Sequence, residues 1–282
     1  MSDEELSAVR KRIAATRQLE TVFTAMRGVA AARSREAQRS LDGVRAYAAA
    51  VGEAIQITLS LSPDEPPARR APTKRIILAF CAEQGFAGAF DERVLTAAAN
   101  LSRDAALYVV GQRGQANALE RGLAVAWSTP MAAHAVDAAS VAERIVDALF
   151  DEVAAHETMQ VTVVHAAPAS PPDYEIRARS LVPLDLARFP LIGGGAAPVL
   201  NLPPPVLLSL LAEEYVFAEL CEATLLSFAS ENAARMQAMT SARSNVRKTL
   251  DELTARYRRS RQEQITDELI ELSRTSGGIA QR

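Results

Sequence analysis

The stretch AQRSLDGVRAYAAAVGEAI, residues 37–55, decides the fold, because its small and apolar side chains recur at alternating intervals of four and three. This spacing places them on one face of a helix, at the period of a coiled coil. The helix therefore needs a long partner against which to bury this seam. The seam positions are Ala37, Leu41, Val44, Ala48, Val51 and Ile55.

The same pattern extends toward the amino terminus, where Ser2 and Glu5 have the spacing of a capping box. No proline interrupts the segment until the stretch 62–73, which carries four prolines and ends it. We therefore predict an N-terminal coiled-coil helix within residues 1–61, about 58 residues and ~87 Å long at the usual rise. Its further seam positions are Leu6, Val9, Ile13, Leu19, Phe23, Met26 and Ala30.

The middle of the chain changes to alternating short strands and helices, which predicts a mainly parallel α/β sheet. A further strand at 175–184 is expected at the edge of the sheet, and 189–205 is expected to be a linker. We assign residues 74–195 to a Rossmann-like α/β domain. Strands are predicted at 75–80, 106–111, 124–128 and 160–166, and helices at 91–101, 113–122 and 140–155.

Residues 205–282 predict a second long helix, because neither proline nor glycine occurs between Pro205 and Gly277. About 70 helical residues would extend ~105 Å, with Gly277 and Gly278 acting as a C-cap and a fraying end. Its seam is expected to slip once, as a stutter does. The predicted positions are Val246, Leu250, Leu253 and Tyr257, then Ile265, Leu269 and Leu272.

The two long helices flank an α/β domain too small to bury both seams. The fold class predicted is therefore α/β, with a long antiparallel two-helix coiled coil formed by the N- and C-terminal helices and a central Rossmann-like domain. Because both helices attach to the same domain, we expect their pair to project from it as a rod.

Composition excludes several classes of protein. The net charge of −3 gives no reason to expect a nucleic-acid partner. Cys81 and Cys221 are far apart in sequence, so no disulfide framework is indicated. No apolar run approaches the ~20 residues that span a bilayer, and the charged first residues do not resemble a signal peptide.

The middle domain offers only weak candidates for chemistry. Gly85 and Gly88 follow the first strand without completing a dinucleotide-binding motif, so a tight turn is the better interpretation. Glu83 and Asp91 beside this turn are expected to cap the loop rather than to act as paired catalytic carboxylates. Cys81 is expected to be a buried, inert thiol.

The histidines His134, His156 and His165 lack ligand-type neighbours at helical spacing, which argues against a metal site. We expect His165, near the end of a strand, to be a satisfied core or edge residue. No active site, cofactor or metal is therefore predicted for this chain.

Three stretches of the sequence resemble the γ subunit of F-type ATP synthases. Residues 23–38, FTAMRGVAAARSREAQ, match its amino-terminal signature, and 230–272, beginning SENAARMQAM and including RQEQITDELIEL, match its carboxyl-terminal signature. Residues 82–95, AEQGFAGAFDERVL, are similar to the glycine motif D-x-G-L-C-G. The order of segments agrees over the whole chain.

Several positions depart from the family pattern. Arg27, Arg33 and Arg35 stand where the family is rich in lysine, and the cysteine of the glycine motif is absent. Arg243 replaces the threonine of the family's A-T-x-N motif and puts a charge near the seam. These departures leave open an ordinary complex or a divergent, N-type paralogue such as the sodium-associated type.

The resemblance implies a central rotor shaft that couples ion-driven rotation of a membrane ring to ATP synthesis or hydrolysis at α/β catalytic sites. Implied partners are three α and three β subunits, an ε subunit and the c-subunit ring. The implied location is peripheral, at the cytoplasmic face of the bacterial inner membrane. By match to the family's motifs, the implied β-subunit contacts are Met26, Arg27, Arg261, Gln262 and Thr266.

Two other functions remain open from the sequence. A coiled-coil scaffold or adaptor with an α/β head would self-associate or bind unrelated partners. An enzyme with an α/β active site and dimerising helices would bind a nucleotide or metal by itself.

Overall fold

The structure, a computed structural model, describes residues 3–61, 72–101, 104–156, 158–170, 173–190 and 200–279. The predicted cap at Ser2 lies outside the described residues. The chain divides into two compact units. The helical unit comprises Met1–Val29 and Gln237–Arg282, and the α/β unit comprises Ala30–Met236. The three-segment division drawn from sequence stays a prediction.

The elements follow the predicted order, with each predicted strand and helix present. The helices are α1 (Asp3–Ser60), α2 (Phe90–Leu101), α3 (Gln112–Glu120), α4 (Ala138–Ala155) and α5 (Pro204–Ile279). The strands are β1 (Lys74–Phe80), β2 (Ala106–Val110), β3 (Val125–Thr129), β4 (Met159–Pro168) and β5 (Tyr174–Val182).

The predicted C-cap at Gly277 is wrong. Helix α5 runs for 76 residues and continues through both Gly277 and Gly278 to Ile279. Glycine is permitted in the left-handed cap conformation but is not forced into it, so a glycine pair does not by itself end a helix.

The five strands form one sheet in the order β3-β2-β1-β4-β5. The first four are parallel and β5 lies at the edge, as predicted, and β5 pairs antiparallel with β4. Side chains alternate between the two faces of the sheet. Ile76, Leu78 and Phe80 therefore enter one core cluster, whereas Ile77 and Ala79 enter the other.

Helices cover both faces of this sheet. One face packs against α2 and α3, through residues such as Phe90, Val94 and Ala118. The other face packs against α4 and the middle of α5, through Ile145 and Leu225 among others. Both faces of the sheet are therefore buried, which explains why β1 is a nearly continuous run of apolar residues.

Helices α1 and α5 pair antiparallel inside the α/β unit, as predicted. The Ser34 hydroxyl donates to the Ala229 carbonyl, Arg45 pairs with Glu222 at 2.9 Å, and the Tyr47 hydroxyl donates to Glu214. The residue numbers of the partners on α5 therefore decrease as those on α1 increase, which is the order that antiparallel pairing requires. Of the predicted seam, Ala37, Leu41, Val51 and Ile55 are buried, and Val44 and Ala48 are half-buried.

The helical unit also pairs the two helices, with Arg243 Nε 3.5 Å from Glu20 Oε1. Its seam keeps intervals of three and four residues, even where this selects polar side chains. On α1 the less exposed positions after Ile13 are Thr16, Glu20 and Phe23, and on α5 they continue from Tyr257 to Ser260 and Gln264.

This spacing overturns part of the predicted seam. Leu19, Ile265 and Leu269 are 49%, 46% and 61% exposed, so none of them lies in the seam. The expected slip on α5 is absent because Ser260 and Gln264 keep the register that apolar Ile265 and Leu269 would have broken. The side chain of Leu272 lies outside the described residues.

We predict opposite effects for alanine at two helical glycines of the α/β unit. A Cβ at Gly114 would lie 1.9 Å from Cys81 Cβ, whereas a Cβ at Gly43 meets nothing within 4 Å. Gly114→Ala should therefore destabilise by at least the roughly 1–3 kcal/mol that overpacking costs. Gly43→Ala should stabilise by up to about 1 kcal/mol through helix propensity. Urea unfolding of both variants checks this, and equal effects would contradict it.

Candidate functional site

The five residues implied as β-subunit contacts all lie in the helical unit. Arg27, Arg261, Gln262 and Thr266 are exposed, and Met26 is half-buried. The Thr266 hydroxyl donates to the Gln262 carbonyl at 2.9 Å, a bond within one turn of α5. Four of the five side chains are thus free to meet a partner surface.

These residues form two groups rather than one site. Glu20 on α1 and Arg243 on α5 face each other. Arg27 lies seven residues beyond Glu20, and Arg261 lies eighteen residues beyond Arg243 on the antiparallel helix. At 1.5 Å per residue this separates the two arginines by about 37 Å along the helix pair. Gln262 and Thr266, four residues apart, share one face of α5, whereas Arg261 points about 100° away.

A second feature, which the sequence did not predict, is a row of three side chains that attach α5 to the sheet. Glu219, Ser227 and Arg235 follow one another at intervals of eight residues, so each points about 80° around the helix from the one before it. All three are buried. We call them the anchor row.

Each member of the anchor row reaches a different part of the sheet. Glu219 forms ion pairs with Arg179 of β5 and, at 3.4 Å, with Arg188. The Ser227 hydroxyl accepts from the backbone N–H of Ala166 in β4 at 3.3 Å. Arg235 donates to the loop that follows β1. The row therefore spans about 24 Å of helix at 1.5 Å per residue.

Arg235 is the most heavily bonded member. Its guanidinium donates to the carbonyls of Gln84 at 2.8 Å and Gly85 at 3.1 Å, and to Asn232 Oδ1 at 3.1 Å. It also forms an ion pair with Glu231, one turn earlier. Burial raises the pKa of Glu231, and the adjacent guanidinium opposes that rise. The fork of donors on arginine suits such a multiple contact.

Two carboxylates also hold the same loop. Asp91 accepts from the Ala82 backbone N–H at 2.7 Å and from Asn117 at 2.8 Å. Glu83 accepts from the backbone N–H groups of Gln112 at 3.1 Å and Met131 at 2.7 Å. These bonds confirm the predicted loop-capping role of Glu83 and Asp91.

Phe86 lies in this loop with an unusual backbone. Its φ is +64°, the left-handed region that residues other than glycine rarely adopt. Its side chain is 65% exposed. The hydrogen bonds of Arg235 to the two preceding carbonyls help to hold the loop in this conformation.

The remaining candidates for chemistry are buried or engaged in structural contacts. Cys81 is buried, and burial raises the pKa of its thiol, as expected for an inert cysteine. The Nδ1 atom of His156 lies 3.3 Å from the Glu152 carboxylate. His165 is buried, with Nδ1 3.1 Å from the Ala166 carbonyl, as predicted for a core histidine. The described residues contain no cluster of three or more side chains suited to hold a metal ion.

The anchor row was missed because its residues are polar in a helix whose burial has no single face. One signal was available: Glu231 and Arg235 stand four residues apart within the predicted helix, the spacing of an intrahelical ion pair. Their burial could not be read from that spacing. In the described part of the chain, no helix has the length of apolar sequence that crossing a bilayer requires.

Comparison with known proteins gives a match over nearly the whole chain. The family described as ATP synthase matches residues 5–277. The ATP synthase gamma chain of Thermobifida fusca is 26% identical, covering 95% of this chain and 94% of the relative. The ATP synthase gamma chain of Phenylobacterium zucineum is 28% identical, covering 95% of this chain and 97% of the relative.

Solved structures agree with the fold. A chain of the Euglena gracilis mitochondrial ATP synthase, in its OSCP/F1/c-ring assembly, is similar with a TM-score of 0.65 and 12% identity, covering 99% of this chain and 95% of that one. A chain of the Tetrahymena thermophila mitochondrial ATP synthase, from its central stalk and c-ring, is similar with a TM-score of 0.58 and 21% identity. The match covers 78% of this chain and 99% of that one. At these identities the likeness concerns the fold.

We predict that Arg235→Gln destabilises the chain strongly. It leaves the buried Glu231 carboxylate without its cation and removes bonds to two loop carbonyls, and breaking a buried pair costs about 3–5 kcal/mol. Arg177→Gln is the control, because Arg177 and its partner Glu175 are more than half exposed and such pairs contribute little. Urea unfolding compares the two, and similar stabilities would contradict a buried anchor.

We predict that acid destabilises the fold through His165. Burial lowers the pKa of His165 from 6.5 to about 4, so between these values the unfolded chain binds a proton that the folded chain does not. Stability should therefore fall as pH falls from about 6.5 to about 4, by at most about 3 kcal/mol from this residue.

His165→Gln should flatten this dependence in urea unfolding followed against pH. His156→Gln, a change at a less buried histidine, serves as the control. If His165→Gln keeps the full dependence of the unchanged chain, the destabilisation arises from other groups.

Proposed function

This chain belongs to the ATP synthase family, and on that premise we propose that it works as the γ subunit of an F-type ATP synthase. It is the central shaft that couples ion-driven rotation to ATP synthesis or hydrolysis at catalytic sites on other subunits. The match of the family over residues 5–277 carries this proposal. The chain itself supplies no catalytic group and binds no cofactor.

Its partners are three α and three β subunits, an ε subunit and the c-subunit ring. The relatives support this assignment because they carry the γ name along almost their full length. As part of this assembly the chain is a peripheral component of a membrane-bound complex. In a bacterium this places it at the cytoplasmic face of the inner membrane.

The anchor row has a mechanical role in this function. Torque that enters at the α/β unit must reach α5 without being lost as sliding or local rotation. Three buried polar attachments over about 24 Å of helix resist both motions, because each would leave a charge or donor unpaired in the interior. The apolar packing of α5 on the sheet is less directional and would resist rotation less well.

The helical unit supplies the contacts that differ between β-subunit conformations. A rotor shifts the states of a β subunit only by binding one state more strongly than another. Arg27, Arg261 and Gln262 present donors and charge on an exposed helical surface. The Thr266 hydroxyl, which donates within α5, presents an acceptor, and half-buried Met26 adds apolar area. Two groups about 37 Å apart would meet different parts of the surrounding subunits.

The scaffold alternative finds no support in these comparisons. A scaffold would not require a match to one family from end to end. Self-association of the purified chain, without α and β subunits, would favour it instead.

We predict that Arg261→Ala combined with Gln262→Ala weakens coupling while the complex still assembles. Loss of two partner hydrogen bonds of about 1 kcal/mol each would slow ATP hydrolysis by roughly five- to thirtyfold. Turnover of the purified complex of this chain with α and β subunits gives the measurement.

The matched control is Arg247→Ala with Lys248→Ala, which removes two other exposed cations from the same helix. It should leave turnover nearly unchanged. Unaltered rates of ATP hydrolysis in the Arg261 and Gln262 double variant would show that these two residues are not β-subunit contacts. The description of the fold would still hold.

A further inference from the structure

An ion pair joins α1 and α5 at the seam of the helical unit. Glu20 occupies a seam position of α1, between Thr16 and Phe23, and Arg243 faces it from α5. Their side chains are 25% and 36% exposed, less than those of a typical surface pair. A charge pair at a coiled-coil seam stabilises less than apolar packing, but it specifies which residues face each other.

The geometry is that of an ionic contact rather than a hydrogen bond. Arg243 Nε lies 3.5 Å from Glu20 Oε1. This nitrogen is buried and makes no hydrogen bond to any residue that the structure describes. Its charge is therefore stabilised by the position of Glu20, and any displacement of the helices along each other would weaken that interaction.

Sliding by half a heptad in either direction is unfavourable for both charges. Antiparallel geometry with Glu20 opposite Arg243 places Ile13 opposite Leu250. A slide of three or four residues would move Arg243 opposite Phe23 or Thr16. The same slides would move Glu20 opposite Val246 or Met239, leaving its carboxylate against an apolar side chain.

The neighbouring seam positions lack this selectivity. Val246, Leu250 and Leu253 are apolar and similar in size, so each would accept the others' partners after a slide. Thr16 and Ser260 are small and polar and impose little preference. The ion pair therefore specifies the register more strongly than these neighbouring positions do.

We propose that Glu20 and Arg243 are positioning residues that fix the register of α1 against α5 in the helical unit. This inference rests on the proposed shaft function. A half-heptad slide moves Arg27 relative to Arg261 by about 5 Å, enough to misplace one contact group when the other is engaged. The pair keeps both groups at a fixed separation while the helices carry torque.

The register is measured by disulfide formation in the isolated full-length chain. Leu250→Cys is combined separately with Ile13→Cys, which reports the observed register, and with Val9→Cys or Thr16→Cys, which report slides in the two directions. The native Cys81 and Cys221 are buried. The three crosslinking rates, compared under the same oxidant, give the distribution of registers.

Charge reversal tests the pair. Glu20→Arg or Arg243→Glu puts like charges opposite each other and should shift crosslinking from the Ile13 reporter to a slide reporter at least threefold. The double reversal, Glu20→Arg with Arg243→Glu, should restore the original ratio. Lys248→Glu, a reversal at an exposed position of α5, should leave the ratio unchanged. Unchanged ratios in both single reversals would overturn the proposal.

Turnover of the complex with α and β subunits provides the second readout. The single reversals should lower ATP hydrolysis at equal assembly, and the double reversal should recover it. A shifted register with unchanged turnover would overturn the positioning role. If the unchanged chain has no effect on turnover, the shaft function itself fails, whereas the crosslinking ratios still report on the register.

Discussion

Helix α5 must pack against two different surfaces at once in the α/β unit. Between Ala218 and Arg235 every residue is buried except Glu222 and Ala233, which are half-buried. A helix covered on all sides cannot show a single apolar stripe. The sheet covers one side of this stretch, and α1 contributes Ala37 and Leu41 to the same core. Small residues such as Ala229 permit the close approach, and the sheet, the helix pair and the loop after β1 all depend on it.

Polar residues within this buried stretch give it direction. Apolar burial holds α5 on the sheet but discriminates weakly between rotations of the helix. Glu219, Ser227 and Arg235 each have one set of partners, at β5, β4 and the loop after β1. Buried charges are costly when unpaired, so the rotation of α5 about its axis is determined by three separated points. A shaft that transmits torque needs this property more than it needs added stability.

The sequence predicted the strands, the helices and the antiparallel pairing, because period and proline placement report directly on local structure. The prediction from sequence failed where contacts with another part of the chain determine which side chains are buried. Leu19, Ile265 and Leu269 looked like seam residues by hydrophobicity, yet the seam follows geometric spacing through Thr16, Glu20 and Ser260. A family motif and the spacing from Glu231 mark Arg235 in the sequence, but neither indicates its contacts with the backbone carbonyls of Gln84 and Gly85, which are far away in sequence.

The central claim is that this chain is a shaft that acts on catalytic sites in other subunits. The most direct measurement is its co-expression with candidate α and β subunits, purification through a tag on this chain, and an assay of ATP hydrolysis. The account predicts that α and β co-purify in excess over this chain and that turnover depends on its presence. Recovery of the chain alone and self-associated, or α and β turnover that does not change without it, would contradict the account.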